Sequence, residues 1–137
     1  MTKLWFEKKY PYLIAAIAGI LWWQLKPGFP VDKSIISSTL SVAGIFVGFL
    51  ATSKAILISM NSPIMESLKE SGYIKELVSY IGQAIWSNLG FCVVNIIGYF
   101  VKTDSLYYGT IWIVICSCSF LCFVRVTTIM LKIFEYN

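Results

Sequence analysis

The segment SIISSTLSVAGIFVGFLATS, residues 34–53, decides the fold class of this chain. It runs for twenty residues without one charged side chain. A helix of about that length spans the roughly 30 Å hydrocarbon core of a bilayer, because each residue adds about 1.5 Å. The segment therefore predicts a membrane-spanning helix, and we expect an integral membrane protein.

Small side chains recur along this segment and its continuation at a spacing that keeps them on one helical face. They are Ser37, Ser41, Gly44, Gly48, Ala51 or Thr52, Ala55 and Ser59. Such a face lets another helix approach closely, and close packing is a main source of association energy between helices in lipid.

A helix-packing or pore face is predicted at Ser41, Gly44, Gly48, Thr52 and Lys54. Three roles are open to this face: packing inside one bundle, joining copies of the chain, and lining a pore. A pore would need several copies, because four short helices enclose little volume.

The composition indicates the same class of protein. Of the 137 residues, 58% are hydrophobic and 13% are charged, whereas soluble domains carry about 25% charged residues. The net charge is +4, but the cations lie at the ends of segments and form no patch interleaved with aromatic residues, so nucleic-acid binding is not expected.

Four cysteines lie inside apolar runs, at Cys92, Cys116, Cys118 and Cys122, and the chain has no histidine. Their spacing differs from the paired C-x-x-C of zinc and redox sites, so we expect free thiols that act as small hydrophobic residues. No metal site and no cofactor are predicted.

Four apolar segments predict an all-α fold, an integral membrane bundle of four transmembrane helices with a short cytoplasmic connector helix. The whole chain, 1–137, is interpreted as a single membrane domain with spans at about 11–25, 34–60, 77–101 and 105–124. Ser62 and Pro63 suit the start of the connector helix, which Gly72 can end.

The first segment is short for a span, and an uncleaved N-terminal anchor is the alternative interpretation. Pro11 suits a first helical turn, while Trp22 and Trp23 suit a membrane interface. The Pro-Gly-Phe-Pro sequence at 27–30 then predicts a turn.

Lysine and arginine divide unequally between the two sides of a four-span arrangement. One side holds eight: Lys3, Lys8, Lys9, Lys54, Lys69, Lys75, Arg125 and Lys132. The other side holds three: Lys26, Lys33 and Lys102. Because cationic residues concentrate on the cytoplasmic side, we expect a multi-pass membrane protein with both termini in the cytoplasm.

Polar side chains within the third span are predicted to form hydrogen bonds between helices. They are Gln83, Ser87, Asn88 and Asn95. Amides in lipid must find partners, so this role is favoured over a ligand site. Lys54 and Arg125 are interpreted as anchors at the membrane interface, and a ring of Lys54 side chains at the mouth of an oligomeric pore is the alternative.

The residue types that catalysis or coupled transport needs are missing from the spans. All seven acidic residues are expected in connections or tails, whereas ion-coupled transporters place carboxylates inside spans. No phosphate-binding loop and no Ser/His/Asp set occurs, so no enzymatic activity and no catalytic residue are predicted.

Two stretches carry a resemblance to a known class of protein. SVAGIFVGFLAT at 41–52, followed by KAIL at 54–57, and LKESGYIKEL at 68–77 resemble small bacterial membrane proteins found beside antiphage defence modules, notably the membrane effectors of retrons. The resemblance covers about residues 35–100 and offers no catalytic residues.

The resemblance implies an effector that oligomerises in the bacterial inner membrane and permeabilises or depolarises it in abortive infection. Its implied partners are the lipid bilayer, further copies of the chain and an inhibitory or sensor protein complex. Alternatives are a non-catalytic scaffolding or regulatory subunit of a membrane complex, and a holin-like pore.

The predicted topology can be tested with reporter fusions. Fusions after Phe29 and after Asp104 should report an external location, because both connections lie on the lysine-poor side. An internal signal after Phe29 would reduce the number of spans and contradict the four-span topology.

Overall fold

In a computed structural model, the described residues are 2–26, 34–61, 63–101 and 105–135. All regular structure in these ranges is α-helical. The helices are α1 (Thr2–Leu25), α2 (Ser34–Ser59), α3 (Pro63–Glu70), α4 (Tyr73–Gly98) and α5 (Leu106–Glu135).

Three of these helices are long and apolar enough to cross a membrane. They are α2 over its whole length, α4 over its whole length, and α5 from Leu106 to Ile133. The 24-residue α1 is not among them. Its N-terminal half carries Glu7, Lys8 and Lys9, which lower its mean hydropathy.

The helix boundaries correct several predictions. Helix α1 begins at Thr2, so Pro11 lies inside the helix and not in its first turn. Helix α4 begins and ends earlier than the predicted 77–101, and α5 continues beyond residue 124. Gly72, with a φ of 80°, separates α3 from α4 in a left-handed conformation that favours glycine.

Helices α4 and α5 form an antiparallel pair at the centre of the fold. The Ser119 hydroxyl donates to the Ser87 carbonyl at 2.8 Å, and the Tyr108 hydroxyl donates to the Val94 carbonyl at 3.0 Å. Helix α2 packs against α4, and α1 packs against α5. The chain therefore runs up and down, with each long helix antiparallel to its main neighbour.

This arrangement gathers most of the described basic residues at one end, which we call the basic end, whereas Lys26 lies at the other end. The first turns of α1 and α4 and the last turns of α2 and α5 meet at the basic end. Lys8, Lys54, Lys75, Arg125 and Lys132 all belong to these parts of the helices. These five residues are among the eight that the sequence predicts on the lysine-rich side.

Apolar side chains fill the interior in two clusters. The larger, near the basic end, is built around Leu50, Leu57, Leu77, Tyr80, Ile81, Val126 and Met130. Met65 of the connector helix belongs to it and is fully buried, so α3 packs onto the bundle. The smaller cluster, toward the opposite end, contains Ala43, Phe91 and Trp112.

Three glycines mark the closest approaches between helices. A β-carbon on Gly19 would meet the Val114 side chain, and one on Gly98 would meet the Tyr108 hydroxyl. A β-carbon on Gly109 would lie 2.8 Å from Trp22 Nε1. These sites join α1 to α5 and α4 to α5, and Gly98 also meets Ile36 of α2, but none of the three glycines belongs to α2.

Some predictions fall outside the described residues. They concern the turn at 27–30, the loop at 102–104, the cap at Ser62, and the placement of Lys33 and Lys102.

Replacing Gly98 by Ala should destabilise the fold. The new methyl group would meet the Tyr108 hydroxyl, which is bound to Val94, and would lie 2.9 Å from Ile36 Cδ1. Overpacking of this kind costs about 1–3 kcal/mol. Thermal unfolding in detergent should show the loss.

Gly82→Ala is the matched control, because a β-carbon there has no described atom within 4 Å. It should preserve or slightly raise the free energy of unfolding, since alanine favours a helix over glycine. Equal losses for the two variants would show that Gly98 is not a packing constraint.

Candidate functional site

A buried arginine holds the basic end together. Arg125 is only 2% exposed. Its Nη1 atom donates to the carbonyl oxygens of Glu7 and Lys8 at 3.2 and 3.1 Å, and its Nη2 atom donates to Gln83 Oε1 at 3.0 Å. The guanidinium carbon lies 4.2 Å from the centre of the Tyr80 ring.

The proline in α1 explains why a carbonyl is available to this arginine. In an α-helix the carbonyl of residue 7 normally accepts from the N–H of residue 11. Pro11 has no N–H, so the Glu7 carbonyl has no donor within its helix. Arg125 supplies that donor and ties α1 to α5. We call these contacts of Arg125 the arginine clamp.

Further polar contacts surround the clamp and connect α1 with α4. The Tyr73 hydroxyl donates to Glu7 Oε1 at 2.9 Å, and Lys8 Nζ lies 3.1 Å from Glu76 Oε2. The lysine and glutamate are about two-fifths and one-third exposed, so this pair adds little stability by itself. Glu7 and Glu76 therefore lie within helices and not in the predicted connections.

Gln83 joins three helices at the clamp. Besides accepting from Arg125, its Oε1 atom accepts from the Tyr12 hydroxyl at 2.7 Å. One amide oxygen of α4 thus receives donors from α1 and from α5.

Asn95, near the other end of α4, likewise uses its amide oxygen to contact two neighbouring helices. Its side chain is fully buried, and its Oδ1 atom accepts from Trp112 Nε1 of α5 at 3.0 Å. The Thr39 hydroxyl of α2 lies 3.0 Å from the same oxygen. Its Nδ2 atom donates to the Phe91 carbonyl within α4. Asn95 therefore connects α2, α4 and α5.

Ser87 and Asn88 lie on α4 between Gln83 and Asn95, whose contacts with neighbouring helices we call the amide bridges. The Ser87 hydroxyl is 3.8 Å from Cys118 Sγ, and its carbonyl accepts from Ser119. Asn88 Nδ2 donates mainly within its own helix, to the Ala84 carbonyl at 2.8 Å, and reaches the Ser119 carbonyl at 3.5 Å. The structure thus brings the four predicted polar residues to the interior surface of α4.

The predicted small-residue face of α2 points away from the rest of the chain. Its inward face is set by buried residues seven apart, Ile36, Ala43, Leu50 and Leu57. Ser41, Gly44, Gly48 and Thr52 are exposed, and a β-carbon on either glycine would have no described atom within 4 Å. We call these four residues the outer face of α2. Within one chain, it makes no close helix contact.

The hydroxyl groups on the outer face are already satisfied. Ser41 donates to the Ser37 carbonyl at 3.1 Å, and Thr52 donates to the Gly48 carbonyl at 2.9 Å. The face therefore presents small side chains without unpaired donors, which suits contact with lipid or with another helix. Lys54, which was predicted to belong to this face, lies off it: it is half-buried and falls four residues after the buried Leu50 and three before the buried Leu57, on the inward side of α2.

Arg125 was interpreted from the sequence as an anchor at the membrane interface, whereas the structure buries its side chain inside the bundle, where it joins α1 to α5. Its burial could have been suspected from two signals taken together, an arginine within an apolar helix and a proline within another. A carbonyl that loses its usual helical donor to a proline must accept from another group, and a buried arginine must donate to an acceptor. The sequence does not show that the Glu7 carbonyl and Arg125 meet these needs for one another.

The described residues contain no group of three or more His, Cys, Asp or Glu side chains that could hold a metal ion. The arginine clamp of Arg125 and the amide bridges of Gln83 and Asn95 consist mainly of hydrogen bonds between helices. These bonds position the helices relative to one another.

Comparison of the chain with protein-family models, with curated proteins and with solved structures finds no match. The likeness to antiphage membrane effectors therefore rests on the sequence pattern alone.

Replacing Arg125 by Gln should destabilise the protein strongly. The shorter side chain cannot reach the Glu7 and Lys8 carbonyls and Gln83 together, and each buried acceptor left without a donor costs about 1–3 kcal/mol. We expect the free energy of unfolding to fall by roughly 3 kcal/mol, measured by denaturation in detergent.

Lys54→Gln is the control, because it also removes one positive charge from the basic end but breaks no clamp contact. It should change stability by no more than about 0.5 kcal/mol. A loss for Arg125→Gln as small as that of the control would contradict the clamp.

Proposed function

We propose that this protein is a non-enzymatic protein of the bacterial inner membrane that oligomerises through the outer face of α2. As an oligomer it permeabilises or depolarises the membrane, in keeping with its resemblance to antiphage effectors of abortive infection. In this proposal α1 is a fourth membrane helix, tilted or partly interfacial, and both termini are cytoplasmic.

The observation that carries this proposal is the exposure of Ser41, Gly44, Gly48 and Thr52. Lipid gives no hydrophobic drive for helices to associate, so close van der Waals packing must supply the energy. Glycines that serve packing within the chain, such as Gly98 and Gly109, lie against large side chains. Gly44 and Gly48 have the same lack of side chain but no neighbour, and a second copy would provide one.

Oligomerisation is needed for a change in permeability, because the interior of one chain is filled. Apolar clusters occupy both ends, and the amides of Gln83 and Asn95 are engaged by neighbouring helices. A path for ions would therefore run between copies. Lys54 lies near the end of the associating helix, and its positive charge there would favour anions at the mouth of that path.

A scaffolding or regulatory subunit of a membrane complex is the second candidate. The engagement of the Gln83 and Asn95 amides within the chain favours it, because these amides are then not free to line an aqueous path. In this case the outer face of α2 would bind a helix of a different protein. An inhibitory or sensor partner would occupy that face in the effector proposal as well, until the chain is released.

Gly48→Leu tests the association face. The isobutyl group would hold a neighbouring helix away, so the detergent-solubilised oligomer should dissociate to smaller species. Cells expressing the wild-type chain alone should lose membrane potential or admit an impermeant dye, and the variant should abolish both effects at an equal inserted amount.

Gly82→Leu is the matched control, since Gly82 is also an open glycine but lies on α4. It should leave oligomer size and toxicity unchanged. If the wild-type chain inserts in quantity and cells retain potential and growth, the subunit function replaces the effector function. If Gly48→Leu leaves the oligomer intact, the outer face is not the interface.

A further inference from the structure

A small polar pocket lies beside the arginine clamp, between α1 and α5 at the basic end. Its volume is about 170 Å³, enough for a phosphate group. It is lined by Glu7, Tyr10, Arg125, Thr128, Ile129 and Lys132.

The α5 residues of this pocket share one helical face. Arg125, Thr128, Ile129 and Lys132 follow the spacing i, i+3, i+4 and i+7. The pocket is therefore lined by an arginine, a threonine and a lysine in one line along the helix, with Tyr10 on α1.

One donor of Arg125, a residue that lines this pocket, lacks a partner. Arg125 uses Nη1 and Nη2 in the clamp, but its Nε atom is buried and has no hydrogen-bond partner among the described residues. A buried donor without an acceptor costs about 1–3 kcal/mol, so Arg125 keeps an unmet need for an acceptor beside the pocket.

The charges near the pocket favour an anion. Arg125 and Lys132 contribute two positive charges, against one negative charge from Glu7. The Glu7 carboxylate already accepts from the Tyr73 hydroxyl, which holds part of its charge toward α4.

The depth of the pocket matches that of lipid head groups. Arg125 lies nineteen residues beyond Leu106, the first residue of α5, which corresponds to about 28 Å along a helix. A span that starts at Leu106 would thus bring Arg125 to the opposite head-group region, since the hydrocarbon core is about 30 Å thick.

We infer that the pocket between α1 and α5 binds a phosphate group through Arg125, Thr128 and Lys132, supplied by an anionic phospholipid of the surrounding leaflet or by soluble phosphate. The bound phosphate stabilises the packing of α1 on α5, because it contacts the residue that already joins them. This site is separate from the outer face of α2.

The test measures lipid binding to the purified full-length chain in nonionic detergent by native mass spectrometry and thermal unfolding. The probes are phosphatidylglycerol, phosphatidylcholine with the same acyl chains, and inorganic phosphate. Phosphatidylglycerol should bind and raise the unfolding temperature more than phosphatidylcholine, whose choline cation would be repelled by Lys132.

Lys132→Gln should weaken phosphatidylglycerol binding roughly fivefold, as expected for the loss of about one lysine contact. Thr128→Val, which removes only a hydroxyl, should weaken it as well. Lys69→Gln is the matched control, because Lys69 is an exposed cation of α3 outside the pocket, and it should keep wild-type binding within twofold.

Inorganic phosphate distinguishes the two sources of the ligand. If it displaces phosphatidylglycerol and stabilises the chain equally, the pocket takes free phosphate, and if it does neither, the pocket takes the lipid. Equal phosphatidylglycerol binding by wild type and Lys132→Gln would overturn the site. Equal weakening by Lys69→Gln and Lys132→Gln would also overturn it, because diffuse surface attraction would then explain the binding.

Discussion

The guanidinium of Arg125 is the group on which the arrangement of the helices most depends. A charge inside an apolar bundle is costly unless its donors are satisfied, so it must be surrounded by acceptors. The chain provides them from two helices, the carbonyls of Glu7 and Lys8 in α1 and the amide of Gln83 in α4. Pro11 makes the first of these carbonyls available. Helix α1 is thereby fixed to α5 although it is less apolar than the other long helices.

Helix α4 distributes the remaining polar contacts. Near the basic end, Gln83 receives donors from α1 and α5, and near the opposite end Asn95 is contacted by α2 and α5. Apolar clusters and close glycine contacts fill the space between and around these bridges. Because these interior amides are engaged within the chain, the exposed outer face of α2 is the surface through which we propose that the chain associates.

The sequence predicted the helical class and the approximate positions of α2, α4 and α5, because uncharged runs of bilayer length have few other structural solutions. It did not predict that α1 continues through Pro11, since proline normally starts or breaks a helix and the compensating donor is 118 residues away. It also did not show which glycines pack within the chain. Gly44 and Gly98 have the same chemistry, and only the fold places Tyr108 against Gly98 and no described atom near Gly44.

The most direct test of association through α2 is disulfide cross-linking in membranes, with single cysteines placed along α2 and the unsubstituted chain as background. Cysteine at Ser41, Gly44 or Gly48 should form dimers efficiently, because these positions would face a second copy. Cysteine at Val42 or Phe49, which are exposed on another side of α2, should do so much less. Uniform cross-linking at all five positions, or none above background at the first three, would contradict an interface built on the outer face of α2.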